Sequence, residues 1–329
     1  MPPDLVSLGE IMLRLSPPKF ERLRRTRSFD IYPCGAQFNV AANFAALGKH
    51  SIFLTRLPDN ELGYLARELA SGCGVDVSQI QLVAHEKIGM VFVEFSVAPR
   101  RAVHLYDRRG SAASLTTAQD FNWDQAVAGG HYAYTDGIFP ALNPGCREAT
   151  LTFLRTAKQS GCRTCFDVNY RQTLWEPVEA ARFYRAALSL VDILVTNRDI
   201  SEKLLGYQGP DEELLRAYQR EFGCQVILLT YREMQGLAHG SWRSLALLQD
   251  QIFAGRQFSF DVIDHYGTGD AFFAGFLSAF QDSADIQYAL DFGDALCALA
   301  HTVEGDQIIF TPAEVQAILD ENYSLKTKR

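Results

Sequence analysis

DHYGTGDAFFAGF, residues 264–276, sets Gly267, Thr268 and Gly269 directly ahead of Asp270 and then begins an apolar helix. Glycine costs roughly 0.5–1 kcal/mol relative to alanine inside a regular element, so two so close together call for a backbone reason. Either the φ/ψ freedom is needed, or something must approach the chain closely. The wider stretch FSFDVIDHYGTGDAFFAGFLSAF (258–280) reads as strand, turn, helix. Ala271, Ala274, Gly275 and Ser278 fall at i, i+3, i+4 and i+7 and give the helix one face of small residues.

Unpaired N–H groups from Gly267 to Asp270 can converge on an anion at such a helix start, aided by the positive end of the helix dipole. A carboxylate in the first turn is expected to be stabilised as the anion and to accept a proton from a nearby hydroxyl. If that hydroxyl attacks a γ-phosphoryl group, the N–H array stabilises the charge spread over its oxygens. Glycines for the phosphate and an aspartate for the nucleophile's proton answer the question the stretch raises. The bland alternative is an acidic residue interacting with a helix dipole after a flexible turn. No G-x-x-x-x-G-K-[ST] occurs, and the first strand, LVSLGEIM, lacks G-x-G-x-x-G, so a Walker A site and a dinucleotide site both lose ground.

Outward from this turn, the 329 residues alternate short apolar runs with helical patterns, as in a parallel sheet covered by helices. Strands are expected at 5–11, 51–57, 131–137, 163–169, 192–197 and 225–231, and helices at 39–48 and 61–74. Residues 12–34 and 88–109 break the rhythm with alternating segments such as GMVFVEFSV and RAVHLYDRR, which read as half-buried antiparallel strands. They are taken as a small β lid on a single domain, contributed by about 12–34 and 88–112. The charge run ERLRRTRSF (21–29) reads as a solvated edge of that lid.

A composition of 47% hydrophobic and 21% charged residues suits a soluble globular chain. The net charge of −8 argues against nucleic acid or an anionic membrane as the main partner. The N-terminus does not read as a signal peptide, and no window approaches a membrane span. Seven scattered cysteines fit reduced thiols in a cytoplasm, and the isolated Cys162–Cys165 pair reads as ordinary strand residues.

Two dispersed motifs carry a resemblance. CGAQFNVAANFAALG (34–48), a glycine turn followed by Asn and a small-residue helix ending in Leu-Gly, resembles the N-terminal signature of the ribokinase-like (PfkB) carbohydrate kinases. DHYGTGDAFFAGF resembles their C-terminal signature. The resemblance implies a three-layer α/β/α domain with a small β-strand lid, ATP as phosphoryl donor and Mg²⁺ on its phosphates. It also implies Asp270 as catalytic base, with Gly267, Thr268 and Gly269 forming the anion hole.

Within that family, FDVNYRQTLW (166–175), LYDRRGSAAS (105–114), GIFPAL (137–142) and AHTVEGD (300–306) most resemble 2-keto-3-deoxygluconate kinases. Gly35, Asn39, Tyr106, Arg108 and Arg171 then bind the sugar acid. A planar guanidinium matches a carboxylate bidentately where lysine does not. Asn197, Thr230 and Arg232 fall by the nucleotide, with Gly267 and Gly269.

Departures from the pattern are informative. Many neutral-sugar kinases of the family carry Asp where GEIMLRLSP offers Arg14, which favours an acid substrate. Cys34-Gly35 stands for the usual paired glycines, Val91 for a frequent aromatic, and Arg232 for the first glycine of Thr-x-Gly-x-x-Gly. Ile200 occupies the Glu position of Asn-x-x-Glu, linked to Mg²⁺, with Asp199 and Glu202 as neighbouring acids at the wrong spacing for a direct swap. The leading expectation is ATP-dependent phosphorylation of 2-keto-3-deoxy-D-gluconate at its 6-position. The rivals are a kinase of a neutral sugar or nucleoside, and a non-catalytic sugar sensor. A homodimer through the exposed side of the lid is expected.

Overall fold

The structure, a computed structural model, describes residues 2–320. Its strands in chain order are β1 (Leu5–Leu8), β2 (Met12–Ser16), β3 (Asp30–Cys34), β4 (Ser51–Pro58), β5 (Ile80–Val83), β6 (Gly89–Glu94) and β7 (Val103–Asp107). They continue as β8 (Tyr132–Asp136), β9 (Arg163–Asp167), β10 (Ile193–Thr196), β11 (Val226–Gln235), β12 (His239–Leu248), β13 (Gln251–Ala254) and β14 (Phe258–Asp261).

The large sheet runs β13-β12-β11-β10-β9-β8-β1-β4-β5, with β14 also paired to β12. From β5 to β11 every pairing is parallel, and β12 then pairs antiparallel with β11, β13 and β14. Both faces of its centre are buried, which is why these strands read as continuous apolar runs. Leu5, Tyr132, Tyr134, Cys165, Ile193, Val195, Val226 and Leu228 face one core. The alternating Val6, Ala133, Phe166, Leu194, Ile227 and Leu229 face the other. Helices Ala36–Ala46, Thr268–Ser283 and Ile286–Ala300 cover the first face, and Pro144–Gln159, Pro177–Leu188 and Asp211–Phe222 the second. The three-layer ribokinase-like arrangement is the one the motifs imply.

The small-residue face of Thr268–Ser283 has a direct cause. A side chain at Gly275 would press on Leu296 and on the backbone of Gly293, and one at Gly293 would meet the carbonyl oxygen of Phe272 at 2.8 Å. The two helices approach at their glycines, and that close approach seats the 267–270 turn against the sheet.

The expected first strand, 5–11, ends instead at Leu8. Its continuation crosses to a separate four-stranded sheet, in the order β3-β2-β6-β7. There β2 runs antiparallel to β3 and parallel to β6, and β6 is antiparallel to β7. Met12, Cys34, Val91 and Val93 bury one side of it, whereas Ile31 and Leu105 are 45% and 55% exposed. The antiparallel β12–β13 hairpin is an element the sequence reading missed. All seven cysteines are free thiols, and Cys162 and Cys165 are buried where β9 begins.

Candidate active site

A cleft of about 250 Å³ opens beyond the C-terminal ends of β9 and β10 and beside β11, the usual place for a ligand in an open α/β sheet. Asp167, Asn169, Arg171, Asn197, Asp199, Thr230 and Gly269 supply its polar lining, and Val195, Ile200, Trp242 and Phe272 its apolar wall.

Local geometry explains why Arg171 reaches it. Asp167 closes β9, and its Oδ1 accepts the backbone N–H of Asn169 at 3.0 Å. Asn169 has a positive φ of 34°, tolerable for Asn in such a turn, and donates its side-chain amide to Asp136 Oδ2 at 3.0 Å. Buried Asp136 also accepts from Gln37 and from the N–H groups of Ile138 and Phe139. That anchored turn sends the chain outward to Arg171, which is exposed on the cleft and has no salt-bridge partner among the described residues. Arg171 forms no ion pair with the neighbouring Asp167.

Gly267 precedes the Thr268–Ser283 helix with φ 68°, and a Cβ there would lie 2.1 Å from the carbonyl oxygen of Asp306. Gly269, two residues on, has open space where its side chain would be, and it faces the cleft. Buried Thr268 donates its hydroxyl to the His265 carbonyl at 3.3 Å. Asp270 follows in the first turn, 9% exposed, and accepts the amide N–H of Asn39 at 2.8 Å. Asn39 is in turn held through its oxygen by Gln307 Nε2 at 2.8 Å. The amide expected to touch sugar is thus engaged with Asp270.

Burial pushes the Asp270 carboxyl well above the usual carboxylate range; Asn39 opposes this, and Asp167, Asp136 and Asp306 add to it. The expectation that the helix start favours its anion is therefore corrected. Desolvation and neighbouring acids outweigh a few aligned N–H dipoles. A raised pKa suits a group that must accept a proton.

On the small-sheet side, Gly35 has φ 143°, and its absent Cβ would lie 2.1 Å from the Glu10 carbonyl oxygen. Tyr106 on β7 is 58% exposed, with the Arg108 guanidinium 5.9 Å from its ring centre. Arg108 pairs with buried Glu10, whose other oxygen accepts from Ser111 Oγ at 2.6 Å. The Arg108 Nε is buried and has no hydrogen-bond partner among the described residues. Glu10, Asp136 and Gln37 were not singled out from sequence. Glu10 in Gly-Glu, a charged residue ending an apolar strand, was the available signal.

One expectation needs correction. Arg14 is 1% exposed and places its guanidinium on Asp264 and Asp306, so it offers nothing to a substrate carboxylate. Arg232 stands two residues beyond Thr230 on β11 and, like Asp270, Asn39 and Arg108, is not among the residues lining this cleft; burial and then the Arg232 charge lower the His265 pKa.

Asn197 does line the cleft, and its Oδ1 caps the Ile200 N–H at 3.0 Å. Thr230 lines it as well and donates to the Thr196 carbonyl at 3.3 Å. No cluster of three ligating side chains occurs among the described residues. Asp167 and Asp199 line one cleft, and Asp199 also pairs with Lys203 at 2.7 Å; Mg²⁺ keeps most of its waters and needs only one or two carboxylates beside substrate phosphates.

A parallel α/β sheet, a second small sheet and a helix-start glycine turn with a buried aspartate define the class of sugar-type kinases. Residues 2–313 match the pfkB family carbohydrate kinase profile, and the chain belongs to that family. It is 34% identical over 321 residues to the 2-dehydro-3-deoxygalactonokinase of Haloferax volcanii, which covers 97% of each chain. The 2-dehydro-3-deoxygluconokinase of Thermoproteus tenax is 31% identical, with 96% of this chain and 94% of the relative covered. The crystal structure of the 2-dehydro-3-deoxygluconokinase of Thermotoga maritima superposes with a TM-score of 0.94 at 29% identity, covering 98% of this chain and 99% of that one.

Proposed function

We propose that this carbohydrate kinase transfers the γ-phosphoryl group of ATP to the 6-hydroxyl of 2-keto-3-deoxy-D-gluconate. The observation that carries this reading is one cleft lined by both Arg171 and Gly269, with Asp270 next in the first turn of the helix. Arg171 would take the substrate carboxylate through charge-assisted, fork-shaped hydrogen bonds, and Arg108, held by Glu10, would close over the same substrate. Gly35 and Tyr106 would border the sugar. Asp270, steadied by Asn39, would receive the hydroxyl proton as the oxygen attacks phosphorus. The N–H groups of residues 267–270 would hold the transferring oxygens, with Asn197 and Thr230 along the nucleotide. Mg²⁺ supplies charge neutralisation on the nucleotide phosphates when bound, and Asp167 and Asp199 would hold its water shell. Closure of the small sheet over the sugar would exclude water and suppress ATP hydrolysis.

The test is ADP release with 2-keto-3-deoxygluconate, 2-keto-3-deoxygalactonate, gluconate, fructose, ribose and adenosine. Turnover confined to keto-deoxy acids supports the reading. Turnover on a neutral sugar instead removes the roles given to both arginines. The Haloferax relative motivates the second reading, the C4 epimer, and the ratio of the two kcat/KM values decides between them. No turnover on any candidate, with binding intact, would favour a sugar sensor and direct attention to Ile200.

We also propose a cytoplasmic homodimer through the exposed face of the small sheet, where Ile31 and Leu105 lie open. No helix among the described residues is long and apolar enough to cross a membrane. Sedimentation that finds only monomer at micromolar concentration would remove the dimer.

A further inference from the structure

We propose that Arg14 is a positioning residue for phosphoryl transfer, clamping the small sheet to the two chain segments that shape the Gly267 turn. The inference rests on Asp270 acting as the base at that turn.

Arg14 projects from β2, opposite Tyr32 on β3. Each nitrogen of its guanidinium has a partner: Nη2 on Asp264 Oδ2 and Nη1 on Asp306 Oδ1, both at 2.6 Å, and Nε on Ser16 Oγ at 3.1 Å. The rings of Tyr32, Phe95 and Tyr266 stand 5.3, 5.2 and 4.5 Å from its carbon. Water is excluded and the fork orientation is fixed on every side.

Both acids it holds build the turn. Asp264 Oδ1 accepts the N–H groups of His265 at 2.7 Å and Tyr266 at 3.1 Å, and Oδ2 accepts that of Gly305 at 3.1 Å. Asp306 is the residue whose carbonyl oxygen fills the place of a Gly267 side chain. One guanidinium therefore joins the segment entering the N–H array to the segment packed behind it, and ties both to the small sheet.

Charge adds a second effect. Asp306 is one of three acids that act on Asp270, with Asp136 from β8 and Asp167 from β9, while Asn39 is its hydrogen-bonding neighbour from the Ala36–Ala46 helix. Tyr134 on β8 and Cys297 on the Ile286–Ala300 helix are the other titratable groups within its influence. Arg14 is the cation that offsets Asp306 and Asp264, and its own surroundings also include His104 and His265, whose pKa values burial lowers, with the Arg14 charge adding to it.

The experiment compares Arg14→Met, Arg14→Lys, Asp306→Asn and the double variant Arg14→Met/Asp306→Asn, each checked for folding by circular dichroism. Steady-state kinetics are measured with the keto-deoxy acid from pH 5 to 9. Arg14→Met is expected to lower kcat on the order of tenfold to a hundredfold, as displaced catalytic geometry does, with the KM for the acid within about threefold. Its acidic limb of kcat/KM moves to higher pH, because an unneutralised carboxylate raises the pKa of a neighbouring acid. The double variant returns the limb. Arg14→Lys recovers the limb through its charge but not kcat, since an ammonium lacks the fork.

A folded Arg14→Met with unchanged kcat and unchanged pH limb overturns the proposal. If Arg14→Met does not fold, Arg14→Lys decides: a folded Arg14→Lys with unchanged kcat overturns the proposal. An active Asp270→Asn would instead overturn the base assignment, leaving the kcat comparison at Arg14 still readable.

Discussion

Arg14 and Arg171 stand in two regions that treat the same side chain in opposite ways. Beneath the small sheet, Arg14 meets two carboxylates, a hydroxyl and three rings, and every nitrogen of its fork has a partner. At the cleft, Arg171 stands beyond a turn held by Asp167 and Asp136, and its guanidinium has no ion-pair partner among the described residues. The two glycines of the turn repeat the contrast. Gly267 is crowded by the chain itself, whereas Gly269 faces empty cleft. A missing or charged group satisfied internally belongs to the fold, and one left unsatisfied at a cleft awaits a ligand.

The largest effect is expected at Asp270, where the two regions meet. Asp270→Asn should lower kcat by about 10²–10⁴ with little change in either KM. Activity close to wild type in the ADP assay would separate the glycine turn from the chemistry altogether.

The glycine pair gives the next test. Gly267→Ala should destabilise by about 1–3 kcal/mol, because it demands a left-handed residue and collides with the Asp306 carbonyl. Gly269→Ala should leave the melting temperature within a degree or two while weakening ATP binding. Thermal unfolding with and without nucleotide reads both, and equal loss of stability would break the contrast.

Arg171→Ala should raise the KM for the acid about tenfold to a hundredfold, the equivalent of ~1.5–3 kcal/mol for a charged hydrogen bond, with stability untouched. A fall in melting temperature without a change in KM would make Arg171 a residue of the fold rather than of the substrate site.

The smallest effect is a pH dependence of stability. Burial, and then the charge of Asp136, push the Asp167 carboxyl up from 3.8 to about 7. A raised carboxyl favours the fold in its protonated form, so its contribution is complete below the unfolded pKa and is lost as pH rises through about 7. Asp167→Asn should therefore flatten this decline and be more stable than wild type at pH 8, on the order of 1 kcal/mol for a carboxylate partly open to the cleft. Denaturant titrations at pH 5 and pH 8 measure it.

Much of the molecule was legible from residue patterns. The central strands could be read because burial on two faces forces apolar runs, and Thr268–Ser283 because its small residues recur at helical spacing. The β12–β13 hairpin could not. Its turn uses Gln249 and Asp250, both with positive φ, in place of the Asn-Gly or Asp-Gly pair that announces such a turn. The far end of β11, Tyr231–Gln235, is also polar and mostly exposed, so no apolar alternation marks it.

The chain by itself determined the parallel sheet, the glycine turn and the placing of Asp270 at a helix start. Those depend on period and on local φ/ψ, which neighbours in sequence settle. Only the tertiary structure decided that Arg14 is locked and Arg171 free. The acids that claim Arg14 lie 250 and 292 residues further along the chain, and a charge finds its partner in space.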